Sequence, residues 1–292
     1  VTTDPTPIEE RGDAWVKRDD FFEYAGVRGG KVRTCATLAS TAHAGLVTAG
    51  SRSSPQVNIV AHVGRFLGIP VRAHCPSGPL LPEVLGAQMA GAEIVQHSPG
   101  YNSVIVARAH DDAVDRDWTE IPFGMECQEA VDATASQVVD IPDGVERIVV
   151  PVGSGMSMAG ILTGLQVAGL KIPVLGVTVG ADPMKRLNRW APVWWAESAT
   201  LVSSGSDYSS PATVTSWRGL TLDAHYEAKT IPFLRTGDLL WVVGIRQSAH
   251  ESKWVCVQCG KSVPAGPVIP RAGSAEGYGP CYVCDEVTEW TA

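Results

Sequence analysis

Apolar and polar positions alternate in two rhythms between about Leu46 and Gly180. Short apolar runs of strand length stand at Gly45–Ala49, Val71–His74, Glu93–His97, Trp118–Pro122, Arg147–Val152 and Val174–Val179. Between them, stretches of helical pattern lie near Gln56–Leu67, Leu80–Ala90, Ser103–Ala113, Glu126–Val138 and Ser157–Ala168. Strands alternating with helices of this length predict βαβ units and a mostly parallel sheet. Ahead of this region, an extended run at Ala14–Lys17 leads to a glycine-rich loop and a helix-like segment opening at Lys31. Behind it, Met184–Trp217 carries Trp190, Trp194, Trp195 and Trp217 and the run S-S-G-S-D-Y-S-S, which reads as a loop-rich segment. That segment suits a lid, a partner surface or plain aromatic packing. A helical piece (Leu222–Leu234) and a last apolar strand (Asp238–Gly244) follow, and no fixed-period repeat is present.

Composition narrows the class. The 292 residues, 45% hydrophobic and 18% charged, fill one large or two medium domains. No apolar run reaches the roughly 18 residues of a membrane span. The first ten residues lack the basic and apolar parts of a signal peptide, so a reducing, cytoplasmic setting is expected. A net charge of −8 repels polyanions and argues against broad nucleic-acid binding.

Four stretches carry candidate chemistry. Lys31 follows Gly26, Gly29 and Gly30, which give the backbone room to bend and a bulky group room to approach. Burial or the neighbouring Arg33 would free its amine to trap a carbonyl, although a solvated lysine at a helix start has the same surroundings. The run R-I-V-V-P-V-G-S-G-M-S-M (Arg147–Met158) is a strand, a small-residue turn and a helix start, which suits a phosphate or simply close strand–helix packing. It lacks the G-K-[ST] of a nucleotide loop. G-S-R-S-S-P-Q (Gly50–Gln56) places hydroxyls at another helix start, fit for a carboxylate or for an ordinary cap. Tyr226 and Glu227 are adjacent ionisable groups in L-D-A-H-Y-E-A-K, on what is otherwise an amphipathic helix. Beyond these, Cys256-V-Q-Cys259 and Cys281-Y-V-Cys284 form two C-x-x-C pairs separated by 21 residues, a spacing for a tetrahedral Zn²⁺ site that folds its own segment. A redox dithiol is the competing reading.

Lys31 and Arg33 after K-R-D-D, the Ser51 turn, G-S-G-x-S at Gly153–Ser157, and Y-E-x-K at Tyr226–Lys229 occur in one order. That order resembles the fold type II pyridoxal-phosphate enzymes, the tryptophan synthase β-like superfamily. Within it the chain is most similar to the 1-aminocyclopropane-1-carboxylate deaminase and D-cysteine desulfhydrase branch. The resemblance covers about Trp15 to Gly244. It implies Lys31 as the lysine that bonds the cofactor aldehyde and shuttles the substrate Cα proton. It implies Gly153, Ser154, Gly155, Met156 and Ser157 as the phosphate loop, and Glu227 as the acid facing the pyridine nitrogen. Tyr226 matches the tyrosine near the reacting carbon, and Ser51 the serine that meets the substrate carboxylate. Three departures stand out: no asparagine precedes Lys31, Arg52 replaces the asparagine that touches the ring hydroxyl, and V-G-I-R-Q-S stands where the branch has a T-G-G loop.

The resemblance thus implies a two-domain α/β fold with mostly parallel sheets, to which the cysteine spacing adds a C-terminal zinc ribbon. Residues 1–45 and 125–249 form the larger cofactor domain, 46–124 the smaller domain and 250–292 the ribbon. The expected activity is a pyridoxal 5'-phosphate-dependent elimination, deamination or decarboxylation at Cα of an amino acid or conjugate, in a homodimer. One alternative is a bacteriophage-type enzyme of DNA thymine hypermodification acting on a base-linked amino acid. Another is a non-catalytic scaffold whose ribbon binds a partner.

Overall fold

The computed structural model describes residues 4–79, 81–98, 100–180, 182–244, 253–256, 262–264, 269–270, 276–281 and 286–291. In chain order, β1 (Ile8–Glu10), β2 (Trp15–Arg18), β3 (Glu23–Tyr24) and β4 (Val27–Arg28) precede α1 (Gly30–Ala39). Then come β5 (Leu46–Ala49), α2 (Pro55–Leu67), β6 (Val71–Pro76), α3 (Pro82–Met89), β7 (Glu93–His97), α4 (Asn102–Arg116), β8 (Thr119–Ile121) and α5 (Gln128–Ala135). After these run β9 (Arg147–Val152), α6 (Met156–Ala168), β10 (Val174–Thr178), α7 (Met184–Trp190), α8 (Trp195–Ser198) and β11 (Ala199–Ser203). The hairpin strands β12 (Ser216–Trp217) and β13 (Leu220–Thr221) and then β14 (Asp238–Val242) follow. The chain divides into two compact units: Val1–Glu23, Arg28–Thr37 and Gly124–Arg246, and Tyr24–Val27, Leu38–Phe123 and Gln247–Ala292.

The first unit is built on a six-stranded sheet in the order β1-β2-β14-β9-β10-β11. Only β1 runs antiparallel to its neighbour; the other five strands are parallel. Ile148, Val149 and Val150 of β9 and Leu239, Leu240 and Trp241 of β14 are fully buried. Such unbroken apolar runs are what a strand covered on both faces requires. Because the five strands point one way, the loops leaving β2, β14, β9 and β10 all emerge at one edge of the sheet, the usual ligand edge of an open α/β fold.

The second unit holds a four-stranded parallel sheet in the order β7-β6-β5-β8. Helix α2 starts where its sequence says it should: Pro55 opens it, the Ser54 hydroxyl accepts from the Gln56 amide at 3.3 Å, and Gly68 (φ 72°) ends it. The buried Gln56 side chain donates to Thr48 Oγ1 at 2.9 Å and to the Pro122 carbonyl at 2.8 Å, tying α2 to the strand before it and to the exit of β8. On the far side, His97 Nε2 lies 2.9 Å from His74 Nδ1, and His74 Nε2 lies 2.9 Å from Asp112 Oδ2. Arg108 reaches the other nitrogen of His97 at 3.0 Å, and Arg72 and Arg116 donate to Asp112.

Two segments depart from the sequence expectation. Met184–Trp217 is more ordered than a loop-rich stretch: it supplies α7, α8 and β11, the last as the parallel edge strand beside β10. The helical piece expected over Leu222–Leu234 is a 3-10 helix confined to Glu227–Phe233. Asp223 competes for the local backbone, its carboxylate accepting from the His225 amide and its carbonyl from the Ala228 amide, and Pro232 lies inside the turn.

Five more strands, β15 (Lys253–Cys256), β16 (Ser262–Pro264), β17 (Ile269–Pro270), β18 (Glu276–Cys281) and β19 (Glu286–Thr291), form an antiparallel sheet. Cys256 and Cys281 close two of these strands, whereas Cys259 and Cys284 lie outside the described residues. Among the described residues there is no cluster of three or more potential metal ligands and no helix long and apolar enough to cross a membrane.

Candidate active site

From the end of β2 the chain passes Asp19 and returns through Gly29 and Gly30 into α1. Gly29 (φ 109°) is in the left-handed region, and a Cβ there would run into the Gly244 carbonyl. Only glycine satisfies both conditions. The Gly29 amide donates to the Phe22 carbonyl at 2.9 Å and the Gly30 amide to the Val243 carbonyl at 3.0 Å, so the turn is fixed against the end of β14. Three residues past the start of α1, Arg33 pairs with Asp19 at 2.9 Å, both side chains 2% exposed. The Arg33 guanidinium also stacks on Phe22, yet its Nε and Nη1 have no partner among the described residues.

This frame presents Lys31. Among the described residues its ammonium has no hydrogen-bond or ion-pair partner. Burial, and then the positive charge of Arg186, lower its pKa from 10.5 to about 8. An amine so placed is neutral far more often than an ordinary lysine at neutral pH, which is the state that attacks a carbonyl. Lys17 on β2 is also lowered to about 8 by burial, but its Nζ is bound to the Thr6 carbonyl at 2.6 Å.

Glu227 and Tyr226 part company because the helix begins between them. Tyr226 (φ −136°, ψ −86°) lies outside the 3-10 turn and sends its hydroxyl to accept from the Gly153 amide at 2.8 Å. Glu227, 1% exposed, accepts from the Gly244 amide at 3.0 Å. Burial and the nearby Asp223 raise its pKa to about 8, so it is largely protonated at neutral pH. Burial, and next Glu227 once it ionises, also raise the Tyr226 phenol, which stays a neutral hydroxyl. The Gly30 amide on the Val243 carbonyl and the Gly244 amide on the Glu227 carboxyl place the lysine turn and the acid on consecutive residues after β14.

β9 ends in Gly153-Ser154-Gly155 and α6 begins at Met156. Gly155 (φ 93°) is left-handed, and no side chain caps the helix. Thirteen residues of α6 therefore direct their N-terminal amides toward the turn, a ready site for a phosphate. A Cβ on Gly153 would press on the Tyr226 ring, so the turn and the tyrosine are in close contact.

The remaining predicted residues, Ser51 and Arg52, belong to the second unit. Ser51 Oγ lies 3.4 Å from Ser53 Oγ, and Arg52 donates to the Pro79 carbonyl at 3.1 Å. Two residues were not singled out from the sequence. The Tyr208 ring meets that of Tyr226 edge-on at 6.2 Å, within a loop held where the Lys229 ammonium donates to the Asp207 carbonyl and His225 Nδ1 lies 3.2 Å from the Tyr208 carbonyl. The S-D-Y-S-S run signalled a loop, and only its pairing with H-Y-E-A-K could have signalled a site. Arg186, on α7, was hidden in the tryptophan-rich segment.

These groups fit pyridoxal phosphate: an unpartnered amine of lowered pKa for its aldehyde, a helix-start turn for its phosphate and a buried carboxyl for its ring nitrogen. The comparisons agree. The family model described as "Pyridoxal-phosphate dependent enzyme" matches residues 4–218. The chain belongs to this family. Among solved structures it is similar to an ACC deaminase homologue, with TM-score 0.70 and 20% identity over 82% of this chain and 89% of that one. It is likewise similar to threonine deaminase isoform 2 from Solanum lycopersicum (TM-score 0.61, 14% identity, covering 83% and 80%). Escherichia coli diaminopropionate ammonia lyase gives TM-score 0.59 at 13% identity, covering 82% of each chain. No curated protein matches by sequence. The pyridoxal-phosphate enzyme therefore has the fold-type-II α/β architecture.

Proposed function

We propose that this pyridoxal-phosphate enzyme breaks a bond at Cα of an amino acid or amino-acid conjugate, by elimination or deamination, with Lys31 as its reactive amine. The observation that carries the reading is the unpartnered Lys31 ammonium, lowered to about 8, on a turn bonded to the residue before Gly244, which in turn holds Glu227. The cofactor's conjugated ring, when bound, takes up the electron pair left at Cα. The chain supplies the rest. Lys31 would bond the cofactor's aldehyde and would supply the amine that moves the Cα proton. Glu227, protonated at neutral pH, shares its proton with the ring nitrogen. Beside Gly153, whose own amide is bonded to the Tyr226 hydroxyl, the amides of Ser154–Ser157 would hold the phosphate, Ser51 would take the substrate carboxylate, and Tyr226 would lend its hydroxyl beside the reacting carbon. By the resemblance Arg52 stands in place of the residue that meets the ring hydroxyl, while its guanidinium is bonded to the Pro79 carbonyl.

The test is direct. Adding pyridoxal phosphate to the full chain should produce a visible absorption band, and borohydride reduction should fix the label on the Lys31 peptide. A label on another lysine, or none, sinks the reading. Amino acids that shift the band then identify the substrate class. The reading takes a small substrate; a net charge of −8 disfavours one attached to DNA.

The C-terminal cysteines support a second, separate site. β15 and β18 are both antiparallel to β19 and so point the same way, and each ends on the first cysteine of a C-x-x-C pair. In strand register Cys256 is level with Trp290 and Cys281 with Glu286, on opposite sides of β19 and four residues apart along it, so it is the C-x-x-C spacing and not the strand register that points to zinc. Cys256, Cys259, Cys281 and Cys284 together make a thiolate set for zinc. Metal analysis should give one zinc per chain, reduced in Cys281→Ser; equal metal content in the variant removes the site.

A further inference from the structure

The sheet edge that carries the phosphate turn has a cationic element that none of the roles above uses. The loop leaving β10 leads into α7, whose Lys185, Arg186 and Arg189 are three cations with no acid among them. Asp182, just before the helix, spends one carboxylate oxygen on the Met184 amide at 2.9 Å. The carboxylate that answers two of the three cations is Glu126. It accepts from Arg186 at 2.7 Å and from the Trp190 indole at 3.2 Å, and lies 3.9 Å from Arg189.

The segments that carry Arg186 and Glu126 both pack on the phosphate turn. A Cβ on Gly155 would touch Pro183 at 3.3 Å and Leu187 at 3.4 Å, so the start of α7 lies against that glycine. A Cβ on Gly124 would meet the Cβ of Ser154 at 3.6 Å, which places the 3-10 turn Phe123–Met125, just before Glu126, against the phosphate turn. Arg186 follows Pro183 closely and precedes Leu187. Its side chain is 28% exposed and that of Glu126 26% exposed, so neither is locked in the core. The charge of Arg186 also reaches Lys31, where it depresses the ammonium. One carboxylate shared by two guanidiniums and an indole leaves a surplus of positive charge beside a turn built to take an anion.

Resting on the reading of Gly153–Ser157 as the phosphate turn, we propose that Arg186 is a second phosphate receptor of the cofactor site, held in place by Glu126, which acts as its internal counter-anion and limits how strongly it draws the phosphate. An arginine reserved for packing would need Glu126 for stability alone. An arginine reserved for an anion is competed for by Glu126. The two roles predict opposite signs for one substitution.

The experiment titrates the full chain with inorganic phosphate and, separately, with pyridoxal phosphate, following heat and fluorescence. Arg186→Met should weaken phosphate binding about tenfold, and Glu126→Gln should strengthen it several-fold, because it frees the guanidinium. The same opposed changes should appear in the pyridoxal phosphate affinity. Weakening by both variants would make the pair a structural clasp and overturn the proposal, as would no change in either. Should Arg186→Met fail to fold, Glu126→Gln decides alone, since no gain in phosphate affinity overturns the proposal. A wild-type chain that binds phosphate with these opposed responses but never takes up pyridoxal phosphate would leave Arg186 an anion receptor and sink the enzyme reading instead.

Discussion

The site at the strand ends of the first unit and the histidine chain of the second treat polar groups in opposite ways. In the histidine chain every ring nitrogen has a partner. Arg108 can only donate, so His97 Nδ1 accepts; His97 Nε2–H then donates to His74 Nδ1, and His74 Nε2–H donates to Asp112. The two ends fix both tautomers. Burial pushes the Asp112 carboxyl up, but hydrogen bonds from Arg116, Arg72 and His74 outweigh it and hold the group well below the usual carboxylate range. At the first unit's sheet edge, Lys31 has no partner among the described residues and Glu227 spends its bond on a single amide. Fully satisfied networks stabilise a fold, whereas groups kept short of partners await a ligand.

Substitutions that break this contrast should differ in what they cost. The largest effect is expected of Lys31→Ala: turnover falls about 10²–10⁴-fold, while the melting temperature holds or rises, because a buried unpaired cation has been removed. A melting temperature that falls with activity would make Lys31 structural. Next is Asp19→Asn, which leaves the Arg33 guanidinium buried without its counter-charge and should cost about 3–5 kcal/mol in denaturant unfolding. Asp112→Asn should cost less, about 1–3 kcal/mol, because its partners Arg72 and Arg116 retain access to water. Equal losses from the two variants would erase the distinction drawn here.

The smallest effect is a pH dependence. Burial, then His74 and Arg108, lower the His97 pKa below 6.5. Arg72, Glu93, Asp112 and Arg116 complete the charges around this chain. The folded state thus favours neutral His97, so the stability it contributes is complete above pH 6.5 and is lost as pH falls through the lowered folded value. Nitrogen NMR should find both histidines protonated at Nε2 at neutral pH, with the Arg108–His97 bond breaking on acidification. A protonated Nδ1 on His97 at neutral pH would reverse the proposed order of donors.

The repeating strands and helices of the chain were legible because parallel strands covered on both faces need continuous apolar runs, as in Arg147–Val152. The 3-10 turn at Glu227 was not, since the competition of Asp223 for nearby amides is a matter of side-chain geometry. β11 was missed because its short A-T-L-V-S run, with no fully buried residue, lies between a tryptophan-rich stretch and a serine-rich one that together read as loop. For the site, the glycines before Lys31 and the G-S-G turn were visible as motifs, each demanding a special backbone. What the spacing could not give was the meeting of Gly30 with Val243 and of Gly244 with Glu227, contacts between residues far apart in the chain.

Lys17 and Lys31 share a pKa near 8 but not a fate. The first is fully buried with its ammonium bound to a carbonyl, so acidity there brings no reactivity. An amine-directed reagent used at limiting dose near pH 8 should therefore mark Lys31 early and leave Lys17 untouched. Pyridoxal phosphate should shield that mark. The pattern of labelled peptides would then serve as a footprint of the site, readable without a substrate.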